Sequence, residues 1–277
     1  MGEPFTPEQQ LPLGGGSINA AYCLSSGSRS YFVKWNQASQ ADMFMAEMEG
    51  LQELARAEAI RVPQAICTGT VQDRAYLVLE YLPLGAGKSA TAQKLGEQLA
   101  QLHRYPGAAF GWHRSNTIGS TPQINTWTEN WIDFYREHRL HYQIRLAAGQ
   151  GHGGAWVSSA EQLLQRLPEF FQTYDPQPSL LHGDLWGGNY GADDQGNPVI
   201  FDPAVYYGDR ETDLAMTELF GGFPSAFYQA YHAAYPLDPG YPRRKPLYQL
   251  YHLLNHLNLF GSGYLGQVQA AIRSGLR

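Results

Sequence analysis

The stretch "LLHGDLWGGNYGADDQGNPVIFDP", residues 180–203, places His182-Gly183-Asp184, then Asn189, then Asp202 along one segment. "NPVIF" (197–201) is a short strand reached from a turn rich in Asp, Gln and Gly, so the two acids fall on turns separated by a hairpin. Phosphoryl transfer asks little covalent chemistry of a protein. It needs in-line placement, a proton acceptor for the attacking hydroxyl, and a divalent metal on the phosphates. Asp184 reads as the acceptor, and Asn189 as a neutral oxygen ligand for Mg2+. Asp202 reads as an anionic ligand of the same hard cation, and His182 as a brace for the loop through hydrogen bonds. The plainer alternative is a solvated acidic loop, which HGD-x4-N followed by a strand ending in Asp makes an uncommon coincidence.

Upstream, "LGGGSINAAY" (13–22) sets Gly14, Gly15 and Gly16 ahead of a strand, with Ser17 offering a hydroxyl. Such a loop brings backbone N–H groups close to phosphates, although it is neither a dinucleotide fingerprint nor a Walker A loop. A plain glycine-rich hairpin is the alternative. "AAYCLSS" and "SYFVKW" read as paired strands, with Lys34 on the face of Phe32. Residues 40–56 read as a helix, with Phe44, Met48, Leu51 and Ala55 on one stripe. At about 100° per residue, Glu47 flanks that stripe and Glu49 points away from it. An acid there must find a cation or face water. Taken together, Lys34 bridges nucleotide phosphates and Glu47 holds the ammonium in place. "LEYL" (79–82) then offers backbone from Glu80 and Leu82 to an adenine edge.

"QAICTGTV" and "RAYLVLEYL" read as two further strands turning at Gln72-Asp73, and "PLGAGKSA" (83–90) as a linker. Helices dominate afterwards: one marked by Leu95, Leu99 and Leu102, a long one over 126–147, and a third over 158–171 opened by a serine cap. Gly149–Gly154 reads as a flexible break between the last two. The expected fold class is α+β, with a β-rich lobe over 1–83 and a helical lobe over 84–277.

Bulk properties narrow the partners. The 277 residues are 43% hydrophobic and 16% charged, with a net charge of −6, an ordinary globular balance and not a nucleic-acid binder's basic one. No apolar run suits a membrane span, and the N-terminal residues read as no secretory signal. Two cysteines without CxxC spacing fit a reducing cytoplasm.

The order glycine loop, Lys, Glu, linker, HGD-x4-N, Asp resembles the protein-kinase-like two-lobed fold in its small-molecule branch, without an Ala-Pro-Glu element. "MFMAEMEGLQEL", "FGWHRSNTIGSTPQINTWTENWIDFYREHRL", "LHGDLWGGNYG", "VIFDPAVYYGDRETDLAMTELFGGF" and "LYQLYHLLNHLNLFGSGY" together resemble the fructosamine/ketosamine kinase family, over about residues 13–265. The resemblance implies ATP- and Mg2+-dependent phosphorylation of the O3 hydroxyl of ketosamines: ribulosamine, erythrulosamine or fructosamine adducts, free or protein-bound. Phosphate on C3 then lies β to the enolised C1–C2 unit and can be eliminated, which releases the amine and repairs glycation.

Carried onto this chain, the resemblance makes Asp184 the base, Asn189 and Asp202 the metal ligands, and Lys34 and Glu47 the nucleotide pair. It also sets Asp213 behind the catalytic loop, orienting it. Trp186 is positioned either to stack on the acceptor or to pack between lobes, and His256 to face the acceptor. His252 and His256, four apart on a helix, lack the Glu of a zinc H-E-x-x-H motif. Some relatives carry Cys where this chain has Ser17, so a loop-thiol switch is not expected. Two alternatives stay open: a kinase of the same fold for an aminoglycoside, choline or another alcohol, and a nucleotide-binding module without catalysis.

Overall fold

Residues 5–14 and 18–277 are described by a computed structural model. Five antiparallel strands form the first sheet: β1 (Gln9–Leu13), β2 (Ala20–Ser26), β3 (Arg29–Gln37), β4 (Ala65–Val71) and β5 (Arg74–Glu80). Their order is β1-β2-β3-β5-β4. β1 is a strand the sequence does not announce. Its Pro12 donates no ladder hydrogen bond, which an edge position tolerates. Strict alternation in β5 buries Ala75, Leu77 and Leu79.

Helix α1 (Ala41–Arg56) follows β3 and packs on β4 and β5. It buries Met43, Phe44, Ala46, Leu51 and Leu54, while Ala55 is exposed, so the apolar stripe ends through Leu54 instead. Each large side chain withdrawn from water there contributes about 1.5–3 kcal/mol.

The remainder is mostly helical. In chain order come α2 (Ser89–Leu102), the hairpin β6 (Asn116–Ile118) and β7 (Thr121–Gln123), then α3 (Trp131–Tyr135), α4 (Tyr142–Ala147) and α5 (Ala155–Gln165). Next are β8 (Ser179–Leu181), β9 (Tyr190–Ala192), β10 (Pro198–Ile200) and β11 (Tyr206–Gly208). The chain closes with α6 (Glu211–Thr217), α7 (Ser225–Ala234), α8 (Tyr241–Phe260) and α9 (Leu265–Gly275). Helices α2 and α7 cross so closely at Gly96 that a Cβ there would meet the Phe227 carbonyl at 2.3 Å.

Two helix boundaries differ from the sequence reading. The long helix starts at Trp131, where Asn130 accepts from the Asp133 N–H, and passes through π-helical turns at Arg136–His141 and Ala148–His152. Asn130 caps that start, its short amide reaching the third helical N–H. Helix α5 begins at Ala155, directly after the positive-φ Gly151 and Gly154, so Ser158 is interior and caps nothing. The expected glycine break is thus confined to Gly151–Gly154. Among the described residues, no helix is long and apolar enough to cross a membrane.

Candidate active site

Strand pairing explains why distant residues meet. β9 and β10 are antiparallel, with Tyr190 opposite Ile200. Asn189, just before β9, and Asp202, just after β10, therefore emerge at the same end. β8 and β11 are also antiparallel, with Leu181 opposite Tyr206. That second pair lays the His182–Asp184 turn beside the Pro203–Val205 segment. The contact is close: Gly183 has φ +84°, and a Cβ on it would stand 2.0 Å from the Ala204 carbonyl oxygen. Only glycine fits there.

Lys34 is the bridge to the first sheet. Its Nζ lies 2.7 Å from Glu47 Oε1 and 2.5 Å from Asp202 Oδ1. The lysine is buried. Burial opposes its charge, but Asp202 and Glu47 outweigh it and hold the ammonium above the ordinary lysine range. Asp202 keeps a left-handed backbone, φ +56°, an unusual conformation that Asp tolerates better than most residues. It leaves the second carboxylate oxygen without a hydrogen bond among the described residues.

Asn189 donates its amide to the Asp184 main-chain carbonyl at 2.9 Å, and more weakly to Asp184 Oδ2 at 3.4 Å. Its Oδ1 accepts no hydrogen bond among the described residues, which leaves one neutral oxygen ready for a hard cation. Burial, followed by the charges of Asp202 and Asp213, pushes the Asp184 carboxyl up to about 7.

Behind these groups the loop is pinned. Asp213 accepts from the His182 and Gly183 N–H groups at 2.8 and 2.9 Å, and from His103 Nε2 at 3.2 Å. Burial favours its neutral form, yet these donors hold it below the usual carboxylate range. His182 Nε2 donates to the Phe201 carbonyl, while its Nδ1 accepts from the Asp184 N–H. Burial lowers its affinity for a second proton, so the ring stays neutral.

A cleft of about 540 Å³ gathers the expected residues. Gly14, Lys34, Glu47, Glu80, Leu82, Asp184, Trp186, Asn189, Asp202 and His256 all line it, whereas His182 and Asp213 stand behind it. Gly15, Gly16 and Ser17 lie outside the described residues. The Glu80 side chain is paired with Arg61. Leu82 makes no backbone hydrogen bond among the described residues, so its main chain is open to a ligand.

Trp186 is 38% exposed and so is not a buried side chain; its ring covers Gly188, where a Cβ would meet it at 2.4 Å. His256 Nδ1 donates to the His252 carbonyl and sits among Phe220, Phe260 and Tyr264. Its Nε2 makes no hydrogen bond among the described residues. His252 is fully buried beside it, with neither ring nitrogen partnered among the described residues.

Sequence reasoning assigned no role to His103, to Asn255, or to the β6–β7 hairpin, whose Asn116, Thr117 and Gly119 line the cleft. The hairpin's "SNTIGSTPQIN" was visible, but amides announce no chemistry until their partners are known.

Comparison with known proteins gives a consistent picture. A fructosamine kinase family model matches residues 1–277. The chain is 50% identical to "Probable ketoamine kinase" of Synechocystis sp., covering 100% of this chain and 93% of that one. It is 41% identical to the chloroplastic protein-ribulosamine 3-kinase of Arabidopsis thaliana, covering 96% and 82%. The crystal structure of "Putative fructosamine-3-kinase" from Haemophilus somnus superposes with a TM-score of 0.90 at 32% identity, over 99% and 92% of the two chains. An aminoglycoside phosphotransferase superposes with a TM-score of 0.64 at 18% identity, over 98% and 96%, which shows the shared kinase-like fold.

Proposed function

The chain belongs to the fructosamine kinase family, and we propose that it moves the γ-phosphoryl group of ATP, with Mg2+, to the O3 hydroxyl of ribulosamine, erythrulosamine or fructosamine adducts. The observation that carries this reading is the convergence of Lys34, Glu47, Asp184, Asn189 and Asp202 on one cleft.

Each residue then has a task. Lys34, fixed by Glu47, holds phosphate oxygens, and the main chain at Glu80–Leu82 faces the base. Asn189 Oδ1 and the unengaged Asp202 oxygen suit Mg2+, which takes one or two protein ligands alongside phosphate oxygens. When bound, Mg2+ neutralises charge on the phosphates. Asp184 accepts the proton from the attacking hydroxyl, and its carboxyl near 7 is poised for that transfer at neutral pH. Trp186 and His256 flank the acceptor.

The charges of the cleft support a ketosamine over a polycation. Of its four carboxylates, Glu47 and Asp202 are paired with Lys34, and Glu80 with Arg61. Among the described residues only Asp184 is left without an ion pair, too few for an aminoglycoside. The test is ADP release with ribuloselysine, erythruloselysine, fructoselysine, kanamycin and choline. Turnover on a ketosamine with phosphate on O3 is expected. Turnover on kanamycin or choline alone would replace the reading, and no turnover on any would leave a binding module.

A further inference from the structure

The β6–β7 hairpin carries a buried amide cluster that the reaction above does not use. Gln123 Nε2 donates to the Ala204 carbonyl at 3.0 Å and to Asn116 Oδ1 at 2.9 Å. Asn116 Nδ2 donates to the Val205 carbonyl at 2.8 Å. Asn125 Nδ2 donates to the same Asn116 oxygen at 2.8 Å, and Arg139 donates to Asn125 Oδ1 at 2.7 Å. All four side chains are buried.

The cluster has one self-consistent polarity. Arg139 can only donate, so Asn125 turns its oxygen to it and its nitrogen to Asn116. Asn116 must then turn its nitrogen to Val205, whose carbonyl can only accept. From the other side, the Tyr251 hydroxyl donates to Gln123 Oε1 at 2.7 Å, which turns the Gln123 nitrogen toward Ala204. Arg139 has no carboxylate partner among the described residues. It lies instead over the rings of Tyr206 at 4.0 Å and Phe134 at 4.6 Å. The buried cation therefore donates through Nη1 to the Ile124 and His138 carbonyls and through Nη2 to Asn125, and the side-chain donors that follow Asn125 end on two further main-chain carbonyls.

Those carbonyls occupy a sensitive place. The Ala204 N–H donates to the His182 carbonyl at 2.8 Å, and its oxygen fills the space that Gly183 leaves. Ala204 is two residues past Asp202 and pressed on the turn that carries Asp184. Ala204 thus touches the Asp184 turn through both its N–H and its carbonyl oxygen.

We propose that Gln123 and Asn116 are positioning residues: by holding the Ala204 and Val205 carbonyls they fix the Asp202 loop against the Asp184 turn. The inference rests on the reading of Asp202 as a metal ligand.

The test compares Gln123→Met, Asn116→Asp and the milder Tyr251→Phe, which removes only the hydroxyl that orients Gln123. Folding is checked by thermal melting, Mn2+ affinity by electron paramagnetic resonance with a non-hydrolysable ATP analogue, and turnover on the best ketosamine. Gln123→Met frees the Ala204 carbonyl and Asn116→Asp the Val205 carbonyl, and each should lose about tenfold in kcat and in Mn2+ affinity. Tyr251→Phe should lose about threefold. The affinity for the ATP analogue measured without divalent metal should stay within about twofold, because Lys34 is untouched. Folded variants with unchanged kcat and Mn2+ affinity, or with metal-free nucleotide affinity falling in equal measure, would overturn the proposal. If the larger changes prevent folding, Tyr251→Phe decides by the same measurements. Should the wild-type chain phosphorylate no ketosamine, the functional reading fails, yet the Mn2+ comparison still decides this one.

Discussion

Lys34 and Asp202 are 168 residues apart in the chain and 2.5 Å apart in space. That contact joins the first sheet to the hairpin of the helical half, and its other arm reaches Glu47 on α1. The lysine thus ties three elements together through buried charge.

Lys34→Met is expected to lower stability by about 3 kcal/mol, because it strands the buried Glu47 without a partner. Adding Glu47→Gln should recover most of that loss while leaving ATP affinity at least about tenfold weaker. Thermal unfolding and calorimetric ATP binding check the pair. Recovery of ATP affinity in the double variant would exclude Lys34 from the phosphate site.

Asp184→Asn should cut kcat by about 10²–10⁴ with ATP affinity retained. The wild-type pH profile tests the same role. A base works only when ionised, and burial with the Asp202 and Asp213 charges pushes this carboxyl up to about 7. kcat/KM for the acceptor should therefore fall as pH drops below about 7 and level off above it. A flat profile from pH 5 to 8 contradicts the assignment.

Trp186 and Gly188 should behave as one unit. Trp186→Ala removes the indole, and Gly188→Ala pushes it aside, since the new Cβ would sit 2.4 Å from the ring. Both should raise the acceptor KM by about tenfold and leave the KM for ATP within about twofold. Steady-state kinetics with each substrate varied in turn separates this from a general loss of fold.

His252 makes stability depend on acid. Burial, then His256, lowers its pKa to about 3, while Asp213 favours its charge and Arg139 opposes it. The unfolded chain binds that proton near pH 6.5 and the folded chain does not. Stability from this group is therefore present above about pH 6.5 and is lost progressively as pH falls toward 3. His103 and His182, also lowered, act in the same direction. His252→Leu removes two unpartnered buried nitrogens, so it should be neutral or stabilising at pH 7 and should flatten the loss at pH 5 by about 1–2 kcal/mol. Denaturant melts at the two pH values measure it, and an unchanged slope rejects the account.

Much of this protein was legible from side-chain pattern. The strand over 74–80 and the helix marked by Phe44, Met48 and Leu51 were readable because burial enforces those two periods, although the stripe ends at Leu54 and not at Ala55. HGD-x4-N and the following Asp announce hard-cation and proton chemistry because few other tasks need that set of oxygens so close together. The strand β1 was hidden by Pro12, and the start of α5 by a serine that would have capped well but lies inside the helix.

The sequence by itself determined which groups are chemically competent: a lysine, three carboxylates and an amide, each in a turn or strand that can display it. Tertiary structure alone decided what those groups face. Strand register sets Asn189 beside Asp202, and the absent Cβ of Gly183 lets the Ala204 peptide close against the Asp184 turn. The amides of Asn116, Gln123 and Asn125 acquire direction only from Arg139 and Tyr251. An amide can donate or accept at either end of a half-turn, so its role is set by its partners, and those are brought to it by folding.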